Sequence, residues 1–252
     1  MGIAVDARTD ARVALLEGLI DHAPLFPPAS LELPEALEED RRARESAASF
    51  ALARFVCPAS RVAELPDADR ALSVILDGPF EERPHVEAVE TRFRKDLASL
   101  EGLAPEIYVE VPVDDDLDAR LDEIAALGFL AKVRSSGATV PDASELAMFV
   151  RACRDRGLAF KATAGLHRPV RANGEHGFLN LLAAVVFGDE EDALEEEESD
   201  AFRLDRNGFG WRGRIADAFD ISLARRERLR SIGSCSFFEP MEALERLGVL
   251  PL

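Results

Sequence analysis

Only three lysines, Lys95, Lys132 and Lys161, stand among the 30 basic residues of this chain, and arginine supplies the rest. A chain that meets almost every need for positive charge with arginine sets its lysines apart. An amine can lose its proton and act as a nucleophile or general base once desolvation or neighbouring cations lower its pKa, and a guanidinium cannot. Lys132 lies in the run LAKVRSS and Lys161 in AFKATAG, whereas Lys95 falls in a polar stretch and reads as surface charge. Carboxylates hold comparable places at or near the ends of apolar runs: Asp21, Asp77, Glu90 and Glu110. An amine beside carboxylates suits iminium chemistry at a carbonyl, with Lys132 or Lys161 forming the adduct and Glu90 or Glu110 moving the proton. Three carboxylates from Asp77, Glu90 and Glu110 would instead suit a hard divalent cation such as magnesium.

For these side chains to meet, the chain must bring distant segments together, and its pattern supplies the means. Eight short apolar runs alternate with polar loops and amphipathic stretches, the signature of βα units on a parallel sheet. They span 15–23, 54–60, 72–78, 86–92, 106–112, 130–136, 159–165 and 231–237. Helical stripes lie between them: Phe93, Leu97 and Leu100; Leu117, Leu121 and Ile124; Leu146, Phe149, Val150 and Cys153; Leu179, Leu182, Ala183 and Val186. Eight such units in 252 residues fit one (β/α)8 TIM-type barrel spanning 1–252. The acidic run 189–200 and the Asn207-Gly208 hairpin signal mark residues 189–213 as an insertion before the last strand, its charges read as a solvated face. An open doubly wound sheet is the alternative, but the first βα turn has no G-x-G-x-x-G loop.

In a barrel, alternate strand residues point inward and chemistry gathers at the C-terminal strand ends. Parity then directs Glu90, Arg92, Tyr108, Glu110, Lys132, Arg134, Lys161 and Thr163 to the axis, with Asp21 and Asp77 closing the first and third runs. A ring of buried charge must be mutually paired, partly wet or occupied by a ligand. Arg92, Arg134, Arg168 and Arg171 are candidates to hold an anionic substrate group by bidentate contacts. His167 and His176 follow the seventh run, where an imidazole could bind substrate or act as acid or base; ordinary loop histidines are the alternative. Ser234 and Ser236 could bind an anion near the mouth. His22 follows the first run. Cys57 and Cys235 read as packing residues.

The segment 130–171, LAKVRSSGATVPDASELAMFVRACRDRGLAFKATAGLHRPVR, resembles the sixth-to-seventh strand region of class I aldolases of the deoxyribose-phosphate aldolase kind. In that family a K-x-S-x-G-like strand end precedes a helix ending in R-D-x-G and then F-K-x-x-G-G. The resemblance implies that Lys132 is the Schiff-base lysine, that Lys161 lowers its pKa, and that Glu90 or Glu110 stands in for the acidic proton-transfer residue. This sequence departs from the family at Arg134, where a small hydroxyl residue is usual, and at 166–169, where Leu-His-Arg-Pro interrupts the glycine-rich end. Asp77, Glu90 and Glu110 in turn look like the magnesium ligands of enolase-type barrels, with a strand-six lysine as base, although the capping domain of that superfamily has no room here.

Charge and composition limit the partners. A formal charge of -18 repels phosphate backbones and anionic lipid surfaces, so neither nucleic acid nor membrane is expected as a partner. Three cysteines and no apolar leader point to the cytoplasm. The expected ligand is a small, anionic carbonyl compound turned over without a cofactor, and homo-oligomers are left open. A noncatalytic barrel that binds a metabolite is the further alternative.

Overall fold

A computed structural model of the chain describes residues 10–66, 69–80, 83–135 and 141–252. Eight parallel strands close into a barrel: β1 (Ile20–His22), β2 (Leu52–Pro58), β3 (Leu72–Ile75), β4 (Val86–Arg92), β5 (Glu106–Glu110), β6 (Leu130–Arg134), β7 (Phe160–Thr163) and β11 (Leu229–Ser234), with β11 paired to both β7 and β1. The chain is a single (β/α)8 TIM-type barrel.

The helices are unevenly distributed around it. α1 (Ala11–Leu16) precedes β1, and α2 (Leu33–Glu45), α3 (Leu117–Ala126), α4 (Ala143–Asp155), α5 (Phe178–Phe187), α7 (Ala218–Glu227) and α8 (Phe238–Arg246) cover most of the outer face. The 15–23 run is therefore not one strand: α1 takes its first residues and β1 only its last. The stripe of Phe93, Leu97 and Leu100 forms a single 3-10 turn at Leu97–Leu100, because Pro105 follows closely and β5 begins at Glu106. The other three stripes are helices. In α4, Leu146, Phe149, Val150 and Cys153 are buried, and Phe149 meets Phe160 of β7 edge to face at 5.2 Å. Asp142 and Glu145 close a capping box at the start of this helix, fixing where it begins after β6.

The 189–213 segment folds as α6 (Glu190–Glu195) and the strands β8 (Phe202–Asp205) and β9 (Gly208–Trp211) of a small antiparallel sheet, which β10 (Arg214–Ala216) completes just beyond the expected boundary. The sequence signals one hairpin, and the structure adds the third strand. Nor is its acidic run wholly solvated. Glu190 is buried against Arg154, and Glu196 is buried against Arg212 at 2.5 Å. No helix among the described residues is long and apolar enough to cross a membrane.

Candidate active site

Register decides which side chains meet inside the barrel. Glu110 of β5 stands opposite Lys132 of β6, which stands opposite Lys161 of β7, and Glu90 of β4 lies opposite Tyr108 of β5. All five have inward parity, while their neighbours Val109, Ala131, Val133, Phe160 and Ala162 pack outward into the hydrophobic layer beneath the helices and Val89 is likewise buried.

Lys161 is fully buried, and its Nζ lies 2.5 Å from Asp21 Oδ2 and 2.6 Å from Glu90 Oε1. Its ammonium also lies 5.2 Å from the centroid of the Tyr108 ring, within cation–π range. Lys132 Nζ lies 2.9 Å from Glu90 Oε2 and 2.9 Å from Glu110 Oε2, so Glu90 bridges both lysines. Ser73 donates to Glu90 Oε1 at 2.6 Å and Ser231 to Asp21 Oδ2 at 2.7 Å. Below them, Arg54 bonds Glu106 at 2.8 Å, Tyr108 donates its hydroxyl to Glu106 at 2.8 Å, and the Arg54 backbone N–H reaches Asp21 Oδ1. The floor of the site is thus closed by paired polar groups, which keeps a buried charge cluster affordable only as a unit.

The electrostatics follow from this geometry. Burial pushes the Glu90 carboxyl up, but the ammonium groups of Lys132 and Lys161 and the hydrogen bonds from Lys161 and Ser73 outweigh it, so the carboxyl is held below its ordinary range. Burial pushes the Lys161 amine down, and the carboxylates of Asp21 and Glu90 more than reverse that, raising it. Lys161 is therefore a fixed ammonium. Lys132 is almost fully buried but lies on longer contacts, one of them to Glu110 on the half-buried edge of the cluster.

Above the cluster a cavity of about 150 Å³ opens toward the C-terminal strand ends. Glu90, Lys132 and Lys161 form its base, Thr163, Gly233, His167 and Cys235 one wall, Phe26 and Pro27 another, and Arg134 its rim. Among the described residues Arg134 has no carboxylate within ion-pair distance, so its charge is free to face a ligand. Gly233 is required where β11 meets β7: a Cβ there would stand 2.9 Å from Thr163 Cγ2. His167 lies between Glu239 Oε2 and Ser234 Oγ, each 3.3 Å from Nδ1, with Nε2 3.8 Å from Cys235 Sγ.

Several residues singled out in the sequence lie elsewhere. Asp77 does not reach the axis. Strand β3 ends at Ile75, and Asp77 turns out to cap Ser60, accepting from its backbone N–H at 2.8 Å and its hydroxyl at 2.5 Å. The set Asp77, Glu90 and Glu110 does not converge, and the latter two already contact Lys132. Arg92 has inward parity but leaves the barrel mouth, with 86% of its side chain exposed and Glu110 3.9 Å away. Arg168 pairs with Glu175 on the surface, and Arg171 approaches Glu197 and His176, so neither lines the cavity. His176 is spent on the Pro141 carbonyl at 2.8 Å. Ser234 is buried behind His167. Ser136 and Gly137, part of the segment that resembles the aldolases, lie outside the described residues.

Other site residues escape the sequence reading. Ser73 and Ser231 have inward parity in apolar runs, a signal that was available. Cys235 and Glu239 have none, because their place depends on how α8 folds back over the end of β11. No protein-family model matches this sequence, and no curated protein matches it.

Proposed function

We propose that this barrel is a lysine-dependent enzyme of the aldolase or lyase type, acting on a small carbonyl compound through an iminium on Lys132. One observation carries the reading: two of the chain's three lysines meet on adjacent strands at the base of one cavity, bridged by a single buried carboxylate. Lys161, clamped by Asp21 and Glu90, supplies fixed positive charge. Lys132 is the nucleophile. Its ammonium first gives a proton to Glu110, 2.9 Å away, the freed amine adds to the carbonyl, and the carbinolamine takes that proton back as it loses water to give the iminium. The guanidinium of Arg134 at the rim, which no carboxylate among the described residues pairs, favours substrates that carry a carboxylate or another anionic group.

Incubation with small aldehydes and ketones under cyanoborohydride, read by intact mass, tests this. Wild-type protein should gain one reduced adduct with at least one of them, and Lys132→Arg should gain none. A wild-type mass that stays unchanged across the panel would overturn the reading.

A further inference from the structure

We infer that His167 is the acid–base group of the lysine cavity, and that the substrate is accordingly a carbonyl compound with a removable hydrogen on the carbon next to its carbonyl. The inference rests on the iminium reading and extends it by naming the proton carrier and the substrate class.

Hydrogen bonding fixes the tautomer. Ser234 spends its single hydroxyl proton on the Ser236 carbonyl at 2.6 Å, so toward His167 Nδ1 its oxygen can only accept. Glu239, on the same nitrogen, also only accepts when ionised. Nδ1 therefore carries the hydrogen, and the lone pair of Nε2 faces Cys235, which lines the cavity together with His167. A base oriented through its second nitrogen by a carboxylate is the arrangement that general-base histidines require. Cys235 keeps its hydrogen, because burial pushes the thiol up, and at 3.8 Å it caps Nε2 only loosely until a substrate takes its place.

Other proton carriers are committed. Glu90 is held by both lysines and Ser73, and Glu110 does not line the cavity. Of the remaining histidines, His176 bonds Pro141, His22 lies beneath α2 between Glu39 and Asp40, and His85 is a surface partner of Asp69.

The step balances without any oxidant or reductant. With the substrate held as an iminium on Lys132, Nε2 takes the proton from the adjacent carbon. The C–H electron pair becomes the carbon–carbon double bond of an enamine, and the C=N pair moves onto nitrogen. The imidazolium formed is stabilised by Glu239 at Nδ1, and it returns the proton to the carbon or to the oxygen of a second carbonyl that the enamine attacks.

Pyruvate, acetaldehyde and acetone serve as probes in D2O. Deuterium entry next to the carbonyl is followed by NMR, and the cyanoborohydride adduct by mass, on the same samples. In His167→Gln the adduct should persist within about twofold of wild type while exchange falls by about 10² or more. Long-range ¹⁵N–¹H NMR of the wild type should show hydrogen on Nδ1 of His167. Adduct formation with undiminished exchange in His167→Gln would overturn the role of His167 and leave the iminium standing; so would hydrogen on Nε2 in place of Nδ1. Absence of any wild-type adduct would remove both proposals together.

Discussion

At the scale of single residues, the two lysines should be distinguishable by what each leaves behind. Lys161→Met strands Asp21 as a buried carboxylate with no ammonium partner and leaves Glu90 with Lys132 alone, and unpairing a buried ion typically costs about 3–5 kcal/mol. Lys132→Met leaves Glu90 with Lys161 and leaves Glu110 near solvent, so it should cost clearly less. Urea denaturation of both variants checks this, and equal losses would mean that the cluster is not organised around Lys161. Gly233→Ala should cost about 1–3 kcal/mol through the clash with Thr163. Much of this site is legible from the scarcity of lysine and the parity of the strands, which put Glu90, Glu110, Lys132 and Lys161 on one side. Parity fails where a strand stops, as it does two residues before Asp77, and it never reaches loop residues such as Arg168 and Arg171. It also says nothing about length: Arg92 starts inward, but its side chain is long enough to climb out.

At the scale of elements, α2 is fastened to the barrel by His22. This buried imidazole lies 3.4 Å from Glu39 and 3.6 Å from Asp40, and Arg44 and Arg70 hold Asp40 from its other side at 2.9 and 2.7 Å. Burial lowers the affinity of His22 for its second proton, but the two carboxylates outweigh it and the net shift is upward. Asp40 is pulled down to about 2 by His22, Arg44 and Arg70 against the penalty of burial. A raised histidine stabilises fully below its unfolded value near 6.5 and loses that contribution as pH rises through its folded value. A depressed aspartate stabilises above its unfolded value near 3.8 and loses its contribution as pH falls toward 2, an amount of about 2 kcal/mol. The contribution of this clasp to stability should therefore be greatest between about pH 4 and 6.5. In urea midpoints measured against pH, His22→Asn should abolish the alkaline decline attributable to this clasp, and an unchanged profile would contradict it. A second fastening joins α5 to the acidic segment: buried Asn180 donates to the carbonyls of Ala193 and Glu196 and accepts from the backbone of Arg171. Asn180→Ala should cost about 1–3 kcal/mol and raise amide exchange across 189–196. Periodicity reveals α3, α4 and α5 because each presents a continuous apolar stripe. It misses α1 because six residues are too few to separate a helix from the strand that follows. It also misreads the acidic run, since nothing in a string of glutamates shows that Glu190 and Glu196 face arginines from distant parts of the chain.

For the whole molecule, eight recurring runs suffice to read a closed barrel, because only closure pairs both edges of such a sheet. A net charge of -18 surrounds a cavity whose rim offers Arg134. The global field opposes an anionic substrate that the local site attracts. Raising salt from about 20 to 200 mM should screen the field more than the contact and speed adduct formation with pyruvate by about twofold, leaving acetone unaffected. A slowing with pyruvate would show that the rim dominates the approach. The central claim, that this fold assembles a reactive amine from residues far apart in sequence, is tested most directly by peptide mapping after reductive trapping. The adduct should reside on the peptide containing Lys132 and should vanish in Glu110→Gln at limiting times. A label on Lys95 or the N-terminal amine alone, at the rate of an unstructured peptide, would contradict it.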